Sequence, residues 1–106
     1  MEQVVITGMG VISPLGNSVE SFWERLARGE SGVSRIEAFD TARFKTRIAG
    51  SVSGFDAEAL FGRKEARRMD RFCQFAMAAA GEAWEDAGLH SAQIDGERLG
   101  VYVGSG

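Results

Sequence analysis

The chain has 106 residues, 44% of them hydrophobic and 25% charged, with a net charge of −3. That composition is globular rather than fibrous or disordered, and the net charge excludes a nucleic-acid binder working by bulk electrostatics. No apolar run approaches the roughly 20 residues that cross a bilayer, and Met1-Glu2-Gln3 supplies no basic segment ahead of an apolar one, so no secretory signal is read.

In chain order, Val4-Val5-Ile6-Thr7 is a short apolar run rich in β-branched residues and predicts a buried, parallel strand. Gly8, Gly10, Pro14 and Gly16 then bend the chain repeatedly. Asn17 predicts a helix start, with Glu20 completing a capping-box-like pair. Val19, Phe22, Trp23 and Leu26 recur at helical spacing, and Gly29 is the expected terminator. Residues 30–46 read as a loop pinned by Ile36, Phe39 and Phe44. Arg47 to Val52 predicts a short strand, and Asp56 to Phe61 one or two helical turns stopped by Gly62. The strongest element is a single helix from Lys64 to Ala87. Its stripe is Met69, Phe72, Cys73, Ala76, Ala80, Ala83, Trp84 and Ala87. Ala78-Ala79-Ala80-Gly81 thins that helix enough for another backbone to approach closely. Gly88 ends it, Leu99 to Val103 predicts a second buried strand, and Gly104-Ser105-Gly106 is a glycine-rich turn. The order of strand, helix, loop, long helix and strand gives the α/β class. Two helices and two or three strands do not close an α/β core. Residues 1–106 therefore read as one incomplete part of a larger domain, with no internal boundary or repeat.

Charge is unevenly placed. Between residues 43 and 71 lie eight cations and four carboxylates, a local surplus of four, which leaves the rest of the chain at −7. Five cations (Arg63, Lys64, Arg67, Arg68 and Arg71) crowd the start of the predicted long helix, where the helix dipole opposes them. Glu82, Glu85 and Asp86 stand at the other end, also against the dipole. A basic patch on an acidic chain suggests an acidic partner; the alternative is a solvated face with local pairs around Glu65. Cys73 is the only cysteine and His90 the only histidine. No internal disulfide and no Cys/His zinc site can form, and a reducing, cytoplasmic setting is expected. Cys73 falls on the apolar stripe and reads as a buried structural thiol. His90 reads as an exposed loop residue. No cofactor is indicated.

Several segments together resemble the β-ketoacyl-acyl-carrier-protein synthases of the elongating type. They are Val4 to Asn17, Phe22-Trp23, Gly29 to Val33, Phe39-Asp40 with Ile48-Ala49-Gly50, Arg63 to Phe72, Glu85 to Leu89, and Gly100 to Gly106. The ordered set covers essentially the whole chain and is similar to the N-terminal portion of such an enzyme. The resemblance implies a thiolase-like αβαβα fold of two similar α/β halves in five layers, as a homodimer. It implies a decarboxylating Claisen condensation in which an active-site cysteine holds the acyl chain, with two histidines for decarboxylation and oxyanion stabilisation. Those residues are expected beyond Gly106, so no catalytic residue is assigned within the chain. Carrier-protein docking falls, by resemblance, on Lys64, Arg67 and Arg68, with Arg63 and Arg71 as further candidates. Gly104, Ser105 and Gly106 are a possible pocket-adjacent turn.

A polyketide ketosynthase or a chain-length-factor-like subunit shares much of this start, although Ser13 to Asn17 and Phe44 to Gly50 look more like the fatty-acid enzyme. Readings from other classes are a non-enzymatic binding module and a dinucleotide-binding oxidoreductase domain. The latter is tempted by Gly8-Met9-Gly10, but Pro14 and Gly16 interrupt where the fingerprint needs a helix already under way.

Overall fold

The computed structural model describes all 106 residues. Helix α1 spans Val19–Ala27. Its cap is Ser18, in extended backbone, whose hydroxyl accepts the Ser21 amide at 3.2 Å. The expected cap, Asn17, does something else: its Nδ2 donates to the Ser53 carbonyl at 2.8 Å and ties the start of α1 to the loop before α2. Gly29, at φ +73°, ends the helix, its amide reaching the Leu26 carbonyl at 3.0 Å.

Strands β1 (Val33–Arg35) and β2 (Ile48–Gly50) pair antiparallel in the register Val33–Gly50, Ser34–Ala49, Arg35–Ile48. β2 lies within the expected 47–52 strand. β1 falls within the expected loop at 30–46, because Val-Ser-Arg has no alternating apolar pattern and becomes a strand only through its partner. In the connection, Phe39 and Phe44 stack edge to face at 5.7 Å on each other rather than on the body, and both stay more than half exposed. Pro14 packs against the hairpin at Gly32 and Gly50, and a Cβ added to Gly32 would meet the Pro14 Cβ at 2.7 Å.

Helix α2 (Ala57–Phe61) is capped by Asp56, whose carboxylate accepts the Ala59 amide at 3.0 Å. It stops at Gly62, φ +78°, as the sequence predicts. The predicted helix from Lys64 to Ala87 is two helices, α3 (Arg63–Arg68) and α4 (Arg71–Asp86). Met69 and Asp70 between them are extended, with ψ of 134° and 159°. Apolar periodicity runs through this break without a Pro or Gly to mark it. The break is compensated by Gln74, described below.

The predicted strands at 4–7 and 99–103 are not strands. A strand exists through its ladder, and no neighbouring segment supplies one here. Their side chains are exposed rather than buried: Val4 fully, Ile6 at 81%, Tyr102 at 97%. The N-terminal segment instead lies along α4. A Cβ added to Gly8 or Gly10 would collide with the backbone of Ala83 or Ala79, and Gly8 also abuts Ala87. The thin helix does admit a second backbone, on its Ala79–Ala83–Ala87 row.

Two residues are buried, Ala66 and Thr41, and the accessible surface is 9028 Å². A self-contained monomer of 11.4 kDa exposes about 5,800 Å². The radius of gyration is 17.0 Å, against about 13 Å for a compact domain of this length. The secondary structure is formed, but the chain encloses no core of its own.

Candidate functional site

The basic residues sit on α3 and the first turn of α4. Arg63, Lys64, Arg67 and Arg68 are all exposed. Lys64, Arg67 and Arg68 stand at i, i+3 and i+4, which places them on one face. The helix break changes their electrostatics. Arg67 and Arg68 occupy the last turn of α3, where the dipole favours cations rather than opposing them; Arg63 and Lys64 at the start of α3, and Arg71 at the start of α4, stand at unfavourable ends. Arg68 pairs with Glu65 at 3.5 Å, both side chains more than half exposed. The other ion pairs, Arg25–Glu30 and Arg28–Glu30, lie on the C-terminal side of α1. Arg63, Lys64 and Arg67 thus carry no paired carboxylate and offer their charge to solvent or to a partner.

Arg71 is engaged differently. Its guanidinium lies over the rings of Phe55 and Phe75, 4.9 and 4.8 Å from their centroids, and those rings meet edge to face at 5.1 Å. Such stacking contributes about 0.5–1 kcal/mol at an exposed site. Arg71 is a fastening between the segment before α2 and the start of α4.

Two carboxylates expected to sit against the dipole have local work. The Glu82 carboxylate accepts the amide of Val11 at 2.9 Å and that of Val19, the first residue of α1, at 3.0 Å. Asp86 accepts the Met9 amide at 3.0 Å. Together with Ala79, Ala83 and Ala87 they form one face of α4, with small residues making room and carboxylates binding the backbone that enters it. The signal was present in the sequence as the interleaved spacing 79, 82, 83, 86, 87. Glu85, by contrast, is exposed.

Cys73 is half-buried on α4 rather than fully buried. His90 is exposed in the turn after α4, its ring edge-on to Trp84 at 6.4 Å. An open cleft of about 630 Å³ lies between α2 and α4, lined among others by Phe55, Leu60 and Met77 and by Asp56, Glu82 and Glu85. The basic residues of α3 do not line it, and neither does Gly104-Ser105-Gly106. That turn is exposed, and a Cβ added at Gly104 or Gly106 would meet nothing within 4 Å. No cluster of His, Cys, Asp and Glu is disposed to hold a metal ion, and no helix is long and apolar enough to cross a membrane.

The chain is similar to known proteins along its whole length. The family model for the β-ketoacyl synthase N-terminal domain matches residues 1–106. A protein of Vibrio cholerae serotype O1 named 3-oxoacyl-[acyl-carrier-protein] synthase 2 is 51% identical over 104 residues, covering 98% of this chain and 25% of that protein. Proteins of the same name from Coxiella burnetii and Staphylococcus aureus (strain COL) are 48% and 45% identical, covering 98% and 99% of this chain and 25% of each protein. Among solved structures, the ishigamide ketosynthase/chain length factor superposes with a TM-score of 0.71 at 36% identity, over 91% of this chain and 23% of that one. This chain spans about a quarter of the length of the curated relatives it matches. The fold is thus the thiolase-like α/β fold of the ketosynthases, and the chain belongs to the β-ketoacyl synthase family, whose N-terminal domain it matches along its whole length.

Proposed function

We propose that residues 1–106 are the N-terminal portion of a 3-oxoacyl-acyl-carrier-protein synthase of fatty-acid elongation, and that α3 is where it receives the acyl-carrier protein. The observation that carries the docking reading is the set of exposed cations on α3, three of them with no carboxylate partner. Carrier proteins of this pathway are acidic, so the complementarity acts on encounter and register. In the complete enzyme, an active-site cysteine beyond Gly106 holds the acyl group as a thioester. Malonyl-carrier protein loses carbon dioxide, the resulting carbanion attacks the thioester carbonyl, and the cysteine thiolate leaves. Two histidines, also beyond Gly106, stabilise the developing charges.

The large apolar exposure of Val4 to Ile6, Val101 to Val103 and α4 supports an incomplete unit, covered in the full protein by the rest of a five-layered fold that assembles as a homodimer in the cytoplasm. Gly104-Ser105-Gly106 then lies beside the acyl pocket. The fatty-acid reading is favoured over a polyketide one because relatives named 3-oxoacyl-[acyl-carrier-protein] synthase 2 reach 45–51% identity, against 36% for the ketosynthase/chain length factor.

The test is condensation by the complete protein, read as 3-oxoacyl-carrier protein and released carbon dioxide from acyl- and malonyl-carrier proteins. Lys64→Ala with Arg67→Ala is expected to raise KM for the carrier-protein substrates about tenfold, in a salt-dependent way, with kcat little changed. No condensation by the wild-type protein would refute the enzymatic reading, and an unchanged KM in the double variant the docking reading.

A further inference from the structure

Helix α3 has six residues, too few to hold helical form in water unaided. Its last carbonyls have no partners within the helix, and the chain after it is extended at Met69 and Asp70. One side chain from the next helix closes this gap. Gln74 Nε2 donates to the Ala66 carbonyl at 2.9 Å and to the Met69 carbonyl at 3.3 Å. Ala66 is also the buried apolar residue of the chain, at 6% exposure. Gln74 itself stands on a fixed base, because Arg71 and Phe75 on either side of it are clamped against Phe55. Phe55 therefore steadies the start of α4, and Gln74 from that turn holds the C-terminal end of α3.

Resting on the carrier-protein reading above, we propose that Gln74 is a positioning residue of the docking surface: by capping α3 from α4, its amide keeps Lys64 and Arg67 on one short, ordered helix that a carrier protein meets already formed. Gln74 carries no charge and touches no partner. Its contribution is preorganisation, so the cations do not have to be ordered on binding.

A double-mutant cycle in the complete protein tests this, with affinity for a fluorescently labelled acyl-carrier protein as the readout. Gln74→Met keeps the length of the side chain and removes both donors. It is expected to weaken binding about threefold to tenfold in the otherwise wild-type protein. In the Lys64→Ala/Arg67→Ala background it is expected to change nothing further, because there is no longer a pair of cations to hold. Hydrogen exchange is expected to quicken at α3 amides and stay unchanged in the middle of α4. Should Gln74→Met unfold, Gln74→Asn, with the amide kept but one methylene short, runs the same cycle and is expected to lose a smaller part of the affinity. Equal losses in both backgrounds, or no loss in the wild-type one, overturn the positioning role alone. An unaffected affinity in Lys64→Ala/Arg67→Ala overturns the docking reading, and the positioning role falls with it.

Discussion

At the scale of single residues, the chain is held together by backbone groups meeting carboxylates and by glycines meeting alanines. Glu82 has the largest share, since one carboxylate satisfies amides from the entering segment and from the start of α1. Glu82→Gln keeps the shape but replaces a charged acceptor, and is expected to lower unfolding free energy in the complete protein by about 1–2 kcal/mol, measured by urea titration. Glu85→Gln, exposed and without such contacts, is the matched control and is expected to stay within about 0.5 kcal/mol of wild type. The identity of these residues was plain in the sequence, but their role was not. A carboxylate near a helix C-terminus is unfavourable by the dipole alone, and only the arrival of Met9 and Val11 from more than seventy residues away explains it.

At the scale of elements, local signals were legible where the chain itself makes the contact. Gly29 and Gly62 stop helices through positive φ, and Asp56 caps α2 through its own neighbour. They failed where a distant group decides. The split between α3 and α4 depends on Gln74 folding back on Ala66, and β1 on its pairing with β2. The N-caps of α1 and α4 also differ. Ser18 accepts a backbone amide, whereas Asp70 makes no side-chain cap bond. Ser18→Ala is therefore expected to cost about 1 kcal/mol of stability, and Asp70→Ala only a few tenths, in paired denaturation curves. The reverse order would mean that the break before α4 is held by Asp70 rather than by Gln74. The basic face itself was readable from the spacing of residues 64, 67 and 68, but its sign relative to the helix dipole was not, because that depends on where the helix ends.

At the scale of the whole molecule, the α/β class was legible, while the outer strands and burial were not. The runs at 4–7 and 99–103 have the composition of core strands and lie in the open. Composition encodes the environment a segment is suited to, and these residues by themselves do not build that environment. In urea, the isolated residues 1–106 are expected to lose helix gradually, without the sharp transition and the slope of about 1–3 kcal/mol/M of a small complete domain. They are also expected to bind a hydrophobic dye before any urea is added. A cooperative transition from a clean monomer would show that these residues find a closed core of their own.

The seat of the entering segment on α4 has a consequence for how this region tolerates change. Gly8 and Gly10 meet Ala79, Ala83 and Ala87 with no side chain larger than a methyl group between the two backbones. At an ordinary core position, harm grows as atoms are removed. Here the relation inverts: Ala83→Gly gives up one methyl group and about 1 kcal/mol of helix propensity, whereas Ala83→Val or Gly10→Ala forces two backbones apart. Plotted against side-chain volume, mutational tolerance along these five positions should slope the opposite way from Phe22, Phe55 and Phe75, so a deep substitution scan would reveal the joint without any structure.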